Sequence, residues 1–180
     1  MTSPDKKPPD RWRADFTHHA RMRILVIDDS PANVALLEDM LSDAGLTRVT
    51  SITDSRLALD TCSTFRPDLI LLDLMMPYLD GFAILESLRA DGDEMFLPVI
   101  VLTADMNDET KQRALSAGAT DFLLKPFDHL EVLLRIANLL EMRRLHVQID
   151  NQRAAYEDAL RARSLELREA NLQSARHSSD

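Results

Sequence analysis

Five short apolar runs punctuate the chain between positions 24 and 124, and the stretches between them carry apolar residues at helical spacing. Ile24–Ile27, Leu69–Leu72 and Leu97–Leu102 hold no charged or amide residue, the pattern of a strand covered on both faces. Thr47–Ile52 and Phe122–Leu124 are weaker strands of the same kind. A first helix is predicted to run through Ala44, with Ser30 as N-cap, Pro31 in its first turn, and Val34, Leu37, Met40 and Leu41 facing inward; Gly45 closes it. Further helices are predicted over Ser55–Phe65, with Leu57, Leu59 and Cys62 apolar, over Gly81–Arg89, with Phe82, Leu85 and Leu88 inward, and over Asn107–Ala117, a polar helix stopped by Gly118. Strand and helix alternate five times, which predicts an α/β fold with a doubly wound five-stranded parallel sheet.

The flanks break this rhythm. Residues 1–22 carry Pro4, Pro8 and Pro9 among mixed charges and read as a flexible arm, with Trp12 and Phe16 as its only large anchors. His18 and His19 have no acidic or cysteine neighbour at ligand spacing, so no metal site is expected there. At the other end, no Pro or Gly occurs from Asp128 to Asp180. A helix from Asp128 to Ala175 would be roughly 70 Å long at about 1.5 Å per residue, more than one small domain can cover. The expected division is an arm over 1–22, a domain over 23–142, and a helical dimerisation stalk over 143–180 that continues the last helix.

Composition narrows the functions available. The 180 residues have a net charge of −9, which argues against a nucleic-acid partner, because phosphate binding needs a clustered excess of Lys and Arg. From Glu141 onward acids and arginines are equal in number, seven each, so the long helix is no basic DNA-binding segment. Cys62 is the single cysteine and is read as core, which excludes an internal disulfide or a thiolate cluster. No run approaches the roughly 20 apolar residues needed to span a bilayer, and the N-terminus lacks the apolar centre of a signal peptide. A cytoplasmic location without membrane association is expected.

Candidate chemistry gathers at the strand ends. The first strand ends in Asp28 and Asp29, the third in Asp73, the fourth in Thr103 and the fifth in Lys125, all on the carboxyl edge where ligands bind in such sheets. Three carboxylates held together repel, at roughly 3 kcal/mol per pair about 5 Å apart in an effective dielectric near 20, so a cation must share the site. Hard oxygen donors without His or Cys favour Mg²⁺. A lysine and a hydroxyl beside that cation suit a transferring phosphoryl group, and an aspartate can be the nucleophile that accepts it. Asp73, ending the most apolar strand, takes that role. Taken singly, Asp28 and Asp29 could simply cap the first helix, and Lys125 could be a surface charge paired to Asp73.

The motifs ILVIDDSP at Ile24–Pro31, LDLMMPYLDG at Leu72–Gly81, VLTA at Val101–Ala104 and FLLKPF at Phe122–Phe127 resemble those of the receiver domain of two-component response regulators, over roughly Arg23 to Met142. The resemblance implies a flavodoxin-like (βα)5 fold and a phospho-acceptor at Asp73. It also implies a Mg²⁺ site of Asp28, Asp29, Asp73 and the Met75 carbonyl. Thr103, Ala104 and Lys125 would bind the phosphoryl group, the Lys125–Pro126 bond would be cis, and the donor would be a phosphohistidine on a sensor histidine kinase or a phosphotransfer protein. Phe122 would be the aromatic that moves inward when the hydroxyl residue is drawn to the phosphate; with no phenolic hydroxyl, it would do so by packing alone. Met75 and Asp105 are expected to tune phosphate lifetime in opposed directions. Only self-phosphorylation and dephosphorylation are expected, with no turnover of an external substrate.

A heptad register places Leu139, Met142, His146, Ile149, Arg153, Tyr156, Leu160, Arg163, Leu167 and Ala170 on one seam, so a parallel homodimer is expected. Stalks of this kind, in proteins the chain resembles, lead to a cyclic-di-GMP synthesising GGDEF or hydrolysing HD-GYP output, and neither motif occurs here. The alternatives are a stand-alone dimeric receiver, a fragment of such an enzyme, and a scaffold with a silent pocket. A haloacid-dehalogenase-like phosphatase would need a second acid two positions after the nucleophile, where Met75 stands.

Overall fold

The structure, a computed structural model, describes residue 16 and residues 18–90, 96–104 and 107–177, with side chains to residue 168. It contains β1 (Ile24–Ile27), α1 (Pro31–Asp43), β2 (Val49–Ile52), a 3₁₀ turn (Ser55–Leu57), α2 (Ala58–Phe65), β3 (Leu69–Asp73), α3 (Gly81–Ala90), β4 (Val99–Thr103), α4 (Asp108–Ser116), β5 (Asp121–Leu124) and α5 (His129–His177). All strand pairs are parallel, and the order is β2-β1-β3-β4-β5. The chain turns back across the sheet between β1 and β3, which places the switch point of a doubly wound sheet beside the end of β3.

The unbroken apolar runs follow from the two-sided cover. Side chains alternate across a strand, so Ile24 and Val26 enter the layer under α1 and α5 while Leu25 and Ile27 enter the layer under α2, α3 and α4. In β3, Leu69 and Leu71 go one way, Ile70 and Leu72 the other, and all four are fully buried. Ser30 caps α1 as expected, its side chain accepting from Asn33 N, and Gly45 at φ +85 follows its end. Cys62 is buried among the α2–α4 layer, which pushes its thiol up to about 11.

Three features depart from the sequence reading. The helix expected over Ser55–Phe65 begins as a 3₁₀ turn, because the Asp54 carboxylate accepts from Arg56 N and tightens the first residues; Leu57, expected to be apolar cover, is half exposed there. The arm over 1–22 is packed at its described end. Phe16 lies in the α1–α5 core layer, and the buried His19 places Nε2 3.2 Å from the Glu141 carboxylate on α5. Leu139, placed on the stalk seam, is a core residue at 6% exposure, because α5 turns Val132, Leu133, Ile136, Leu139 and Leu140 onto the sheet. Trp12 lies outside the described residues.

The chain divides into two compact units, Met1–Arg143 and Arg144–Asp180. Arg143 belongs with the first: it is buried, its guanidinium donates to the Phe96 carbonyl at 2.7 Å, and its Nε stands 3.7 Å from Asp68. Among the described residues no helix is long and apolar enough to cross a membrane.

Candidate functional site

The carboxyl ends of β1, β3, β4 and β5 converge on one acidic pocket. Asp28 is fully buried and Asp73 is 4% exposed, and both carboxylates touch the same ammonium, with Lys125 Nζ at 2.8 Å from Asp28 Oδ2 and 2.9 Å from Asp73 Oδ2. Asp29 stands next to them: one oxygen from each of the three acids lies within 4.8 Å of the others. Asp28 is fixed further by Ser30 N at 2.9 Å and by both of its oxygens accepting from Asn33 Nδ2 at 3.1 Å. It therefore does part of the work of a cap, but the N-cap itself is Ser30.

Burial raises the pKa of the Asp73 carboxyl, with the neighbouring Asp28 charge adding to it, even though Lys125 pulls the other way. For Lys125, burial disfavours the ammonium, and the hydrogen bonds to Asp28 and Asp73 outweigh it, so its pKa is raised. Among the described residues the pocket thus holds one fixed positive charge among three acids, and the negative excess suits a hard divalent cation.

Thr103 ends β4 at 3% exposure, and its carbonyl accepts from Lys125 N at 2.8 Å, which ties β5 to the site. Ala104 follows it, exposed. The Lys125–Pro126 bond is cis. Phe122 is partly buried against the α2–α4 layer, and Lys111 Nζ on α4 lies over its ring at 4.9 Å. Met75 N donates to Asp73 Oδ1 at 3.3 Å while the Met75 side chain is 76% exposed. Asp105 lies outside the described residues.

Comparison with protein families matches residues 24–137 to the response regulator receiver domain. The chain belongs to this family. Over 117 residues the receiver is 40% identical to the response regulator PleD of Caulobacter vibrioides, a match covering 65% of this chain and 26% of that one. It is 44% identical over 119 residues to the response regulator MprA of Mycolicibacterium vanbaalenii, covering 66% and 50%. The receiver thus spans about a quarter to a half of the length of these relatives. Among solved structures it is similar to the receiver domain of the Francisella response regulator 1452, at TM-score 0.63 and 33% identity, over 68% of this chain and 98% of that one. It also matches a two-component response regulator/GGDEF domain protein at TM-score 0.66 and 27% identity, over 72% and 53%.

Three residues that shape this receiver's pocket escaped sequence reasoning. Asn33 is one; its signal is its position one turn into a helix that starts beside paired acids. Ser55 is buried, donates to the Pro77 carbonyl at 2.7 Å and accepts from Leu79 N at 3.2 Å, which pins the loop after Asp73 from across the sheet. Gly81 is the third: the sequence places it at the start of a helix without its packing against β3. A Cβ there would collide with the Asp73 carbonyl oxygen and lie 2.8 Å from Leu74 Cα, so α3 begins directly against the end of β3. Tyr78, in the same loop at φ 69, lies under the Arg56 guanidinium at 4.5 Å.

Proposed function

We propose that this receiver accepts a phosphoryl group on the Asp73 carboxylate. The observation that carries the reading is the placement of Asp73: buried at the end of the central strand, 2.9 Å from Lys125 Nζ, with Asp28 and Asp29 oxygens within 4.8 Å. The Asp73 oxygen would attack the phosphorus of a phosphohistidine on a sensor kinase or phosphotransfer protein; the O–P bond forms, the P–N bond breaks, and the electron pair stays on the imidazole. Lys125 offers its ammonium to the incoming non-bridging oxygens, and Thr103 a hydroxyl from the neighbouring strand. Ala104 lies next along the same strand end, where its backbone can reach the group.

The donor set fits Mg²⁺, since it is made of carboxylates with no sulfur or imidazole. Asp28, Asp29, Asp73 and the Met75 carbonyl would hold it. When bound, the ion offsets charge on the transferring phosphoryl group.

Phe122 responds to the pocket through β4 and β5. Its ring is held by packing and by the Lys111 ammonium, so an inward shift after phosphorylation means exchanging one set of neighbours for another. The consequence we assign is a change in how two copies of the chain are held through the helix after residue 143, in signal transduction, with no external substrate turned over. A second reading, in which the receiver governs a cyclic-di-GMP output, is favoured by the similarity to a response regulator/GGDEF protein. It is tested by assaying cyclic-di-GMP synthesis and hydrolysis with the product of the intact gene.

The phosphoryl site is tested with beryllofluoride, a phosphoryl mimic, followed by fluorine NMR. Wild type with Mg²⁺ should show a bound signal that is absent in Asp73→Asn and in wild type without Mg²⁺. A wild type that shows no bound signal would overturn the reading.

A further inference from the structure

Within Arg144–Asp180 the described helix leaves five large apolar side chains open along one line: Leu145, Ile149, Tyr156, Leu160 and Leu167, between 44% and 66% exposed. Their intervals are 4, 7, 4 and 7 residues, an 11-residue repeat that takes Leu145 to Tyr156 to Leu167 and Ile149 to Leu160. At about 100° per residue they fall within an arc of about 60°. Leu165, also exposed, lies on the opposite side.

This line differs from the heptad seam expected from the sequence. The heptad puts His146, Arg153 and Arg163 between the helices and leaves Leu145 out. The 11-residue spacing admits Leu145 and Gln152 in place of His146 and Arg153, so the seam keeps one arginine instead of two arginines and a histidine. The excluded Arg153 is already paired along its own helix with Glu157 at 3.3 Å, and Arg163 with Glu166 at 3.1 Å.

We infer that this line is the docking surface for a second copy of the chain, with the two helices parallel and paired on an 11-residue repeat. Such a repeat gives a straight or slightly right-handed coil where a heptad gives a left-handed one. The inference rests on the dimeric reading above and specifies its geometry.

Three observations select a second copy as occupant. The stripe is about as narrow as a two-helix seam, and narrower than the face a helix turns to a globular body. The segment is charge-balanced in a chain of net charge −9, so it offers no surplus to nucleic acid, anionic lipid or a charged protein. A lone helix of this kind is marginal in water without a packed face. Charge complementarity suits the parallel arrangement. In parallel, the flank bearing Arg168 meets the flank bearing the partner's Glu166.

Because Cys62 is the single cysteine, a Cys62→Ala background allows a disulfide scan on the full chain. Single cysteines at positions 145, 146, 149, 152, 153, 156 and 160 are oxidised mildly, and dimer yield is read on non-reducing gels beside light scattering of each unoxidised variant. High yields at 145, 149, 152, 156 and 160, with several-fold lower yields at 146 and 153, are expected. High yields at 146 and 153 with low yields at 145 and 152 would overturn the 11-residue pairing and leave the dimer standing. Yields confined to position 156 would overturn the parallel arrangement. A monomeric mass with no disulfide at 149, 156 or 160 would overturn the dimeric reading as well.

Discussion

Asp73 is a carboxylate kept where a carboxylate is costly. Its raised pKa, caused first by burial, means that the folded chain holds this proton more tightly than the unfolded chain, whose group titrates near 3.8. The sign follows: this group's contribution is most favourable below 3.8 and is lost as pH rises through the folded-state value. Asp73→Asn without Mg²⁺ should therefore be more stable than wild type near neutral pH and should lose this component of the pH dependence. Urea midpoints measured from acid to neutral pH check both; a destabilised Asp73→Asn would contradict the account. Lys125 has the opposite weight. Lys125→Met leaves Asp28 and Asp73 without their shared ammonium, so the Asp73 pKa should rise further and beryllofluoride binding should fall by at least about tenfold, roughly 1.4 kcal/mol. Carbon NMR titration of the aspartates, with the fluorine signal, measures the two effects. The acids, Thr103 and Lys125 were legible because each ends an apolar run. Asn33, Ser55 and Gly81 were not, because their partners lie in other elements or in the backbone of β3. Gly81→Ala should cost about 1–3 kcal/mol through its collision with Asp73 and Leu74 backbone, read as a lowered urea midpoint.

At the scale of elements, strands and helices follow hydrophobic period, and the misreadings lie where another element intervenes. The 3₁₀ turn before α2 comes from the Asp54–Arg56 pairing, a local polar choice that periodicity does not report. Leu139 satisfies a heptad and a core face equally well in sequence; the sheet claims it, since Val132, Ile136 and Leu140 share its face. The same ambiguity hid Arg143, which reads as a surface charge yet is buried against Asp68 and Phe96 O. Arg143→Ala should leave Asp68 and that carbonyl short of a donor and cost about 3 kcal/mol, visible as a lowered urea midpoint. On the later part of α5, Arg163 is the charge left on the proposed seam. Arg163→Leu should tighten the dimer by about tenfold, or about 1.4 kcal/mol, by sedimentation equilibrium. An unchanged or weaker dimer would place Arg163 outside the seam.

For the whole molecule, the doubly wound order was legible because five alternations of strand and helix leave few parallel arrangements. The described end of the arm was not. Phe16 joins the α1–α5 core layer from a stretch with no period of its own, and only the fold shows the neighbours it packs against. The order β2-β1-β3-β4-β5 brings four strand ends to one edge and makes Asp73 the acid at its centre. The central claim is that this acid is the acceptor. The most direct measurement is incubation of the full chain with Mg²⁺ and a small acyl phosphate, followed by intact mass and peptide mapping after borohydride reduction. Wild type should gain one phosphoryl group, mapped to Asp73, and Asp73→Asn should gain none. A wild type that gains no mass, or an Asp73→Asn chain modified to the same extent, would contradict it.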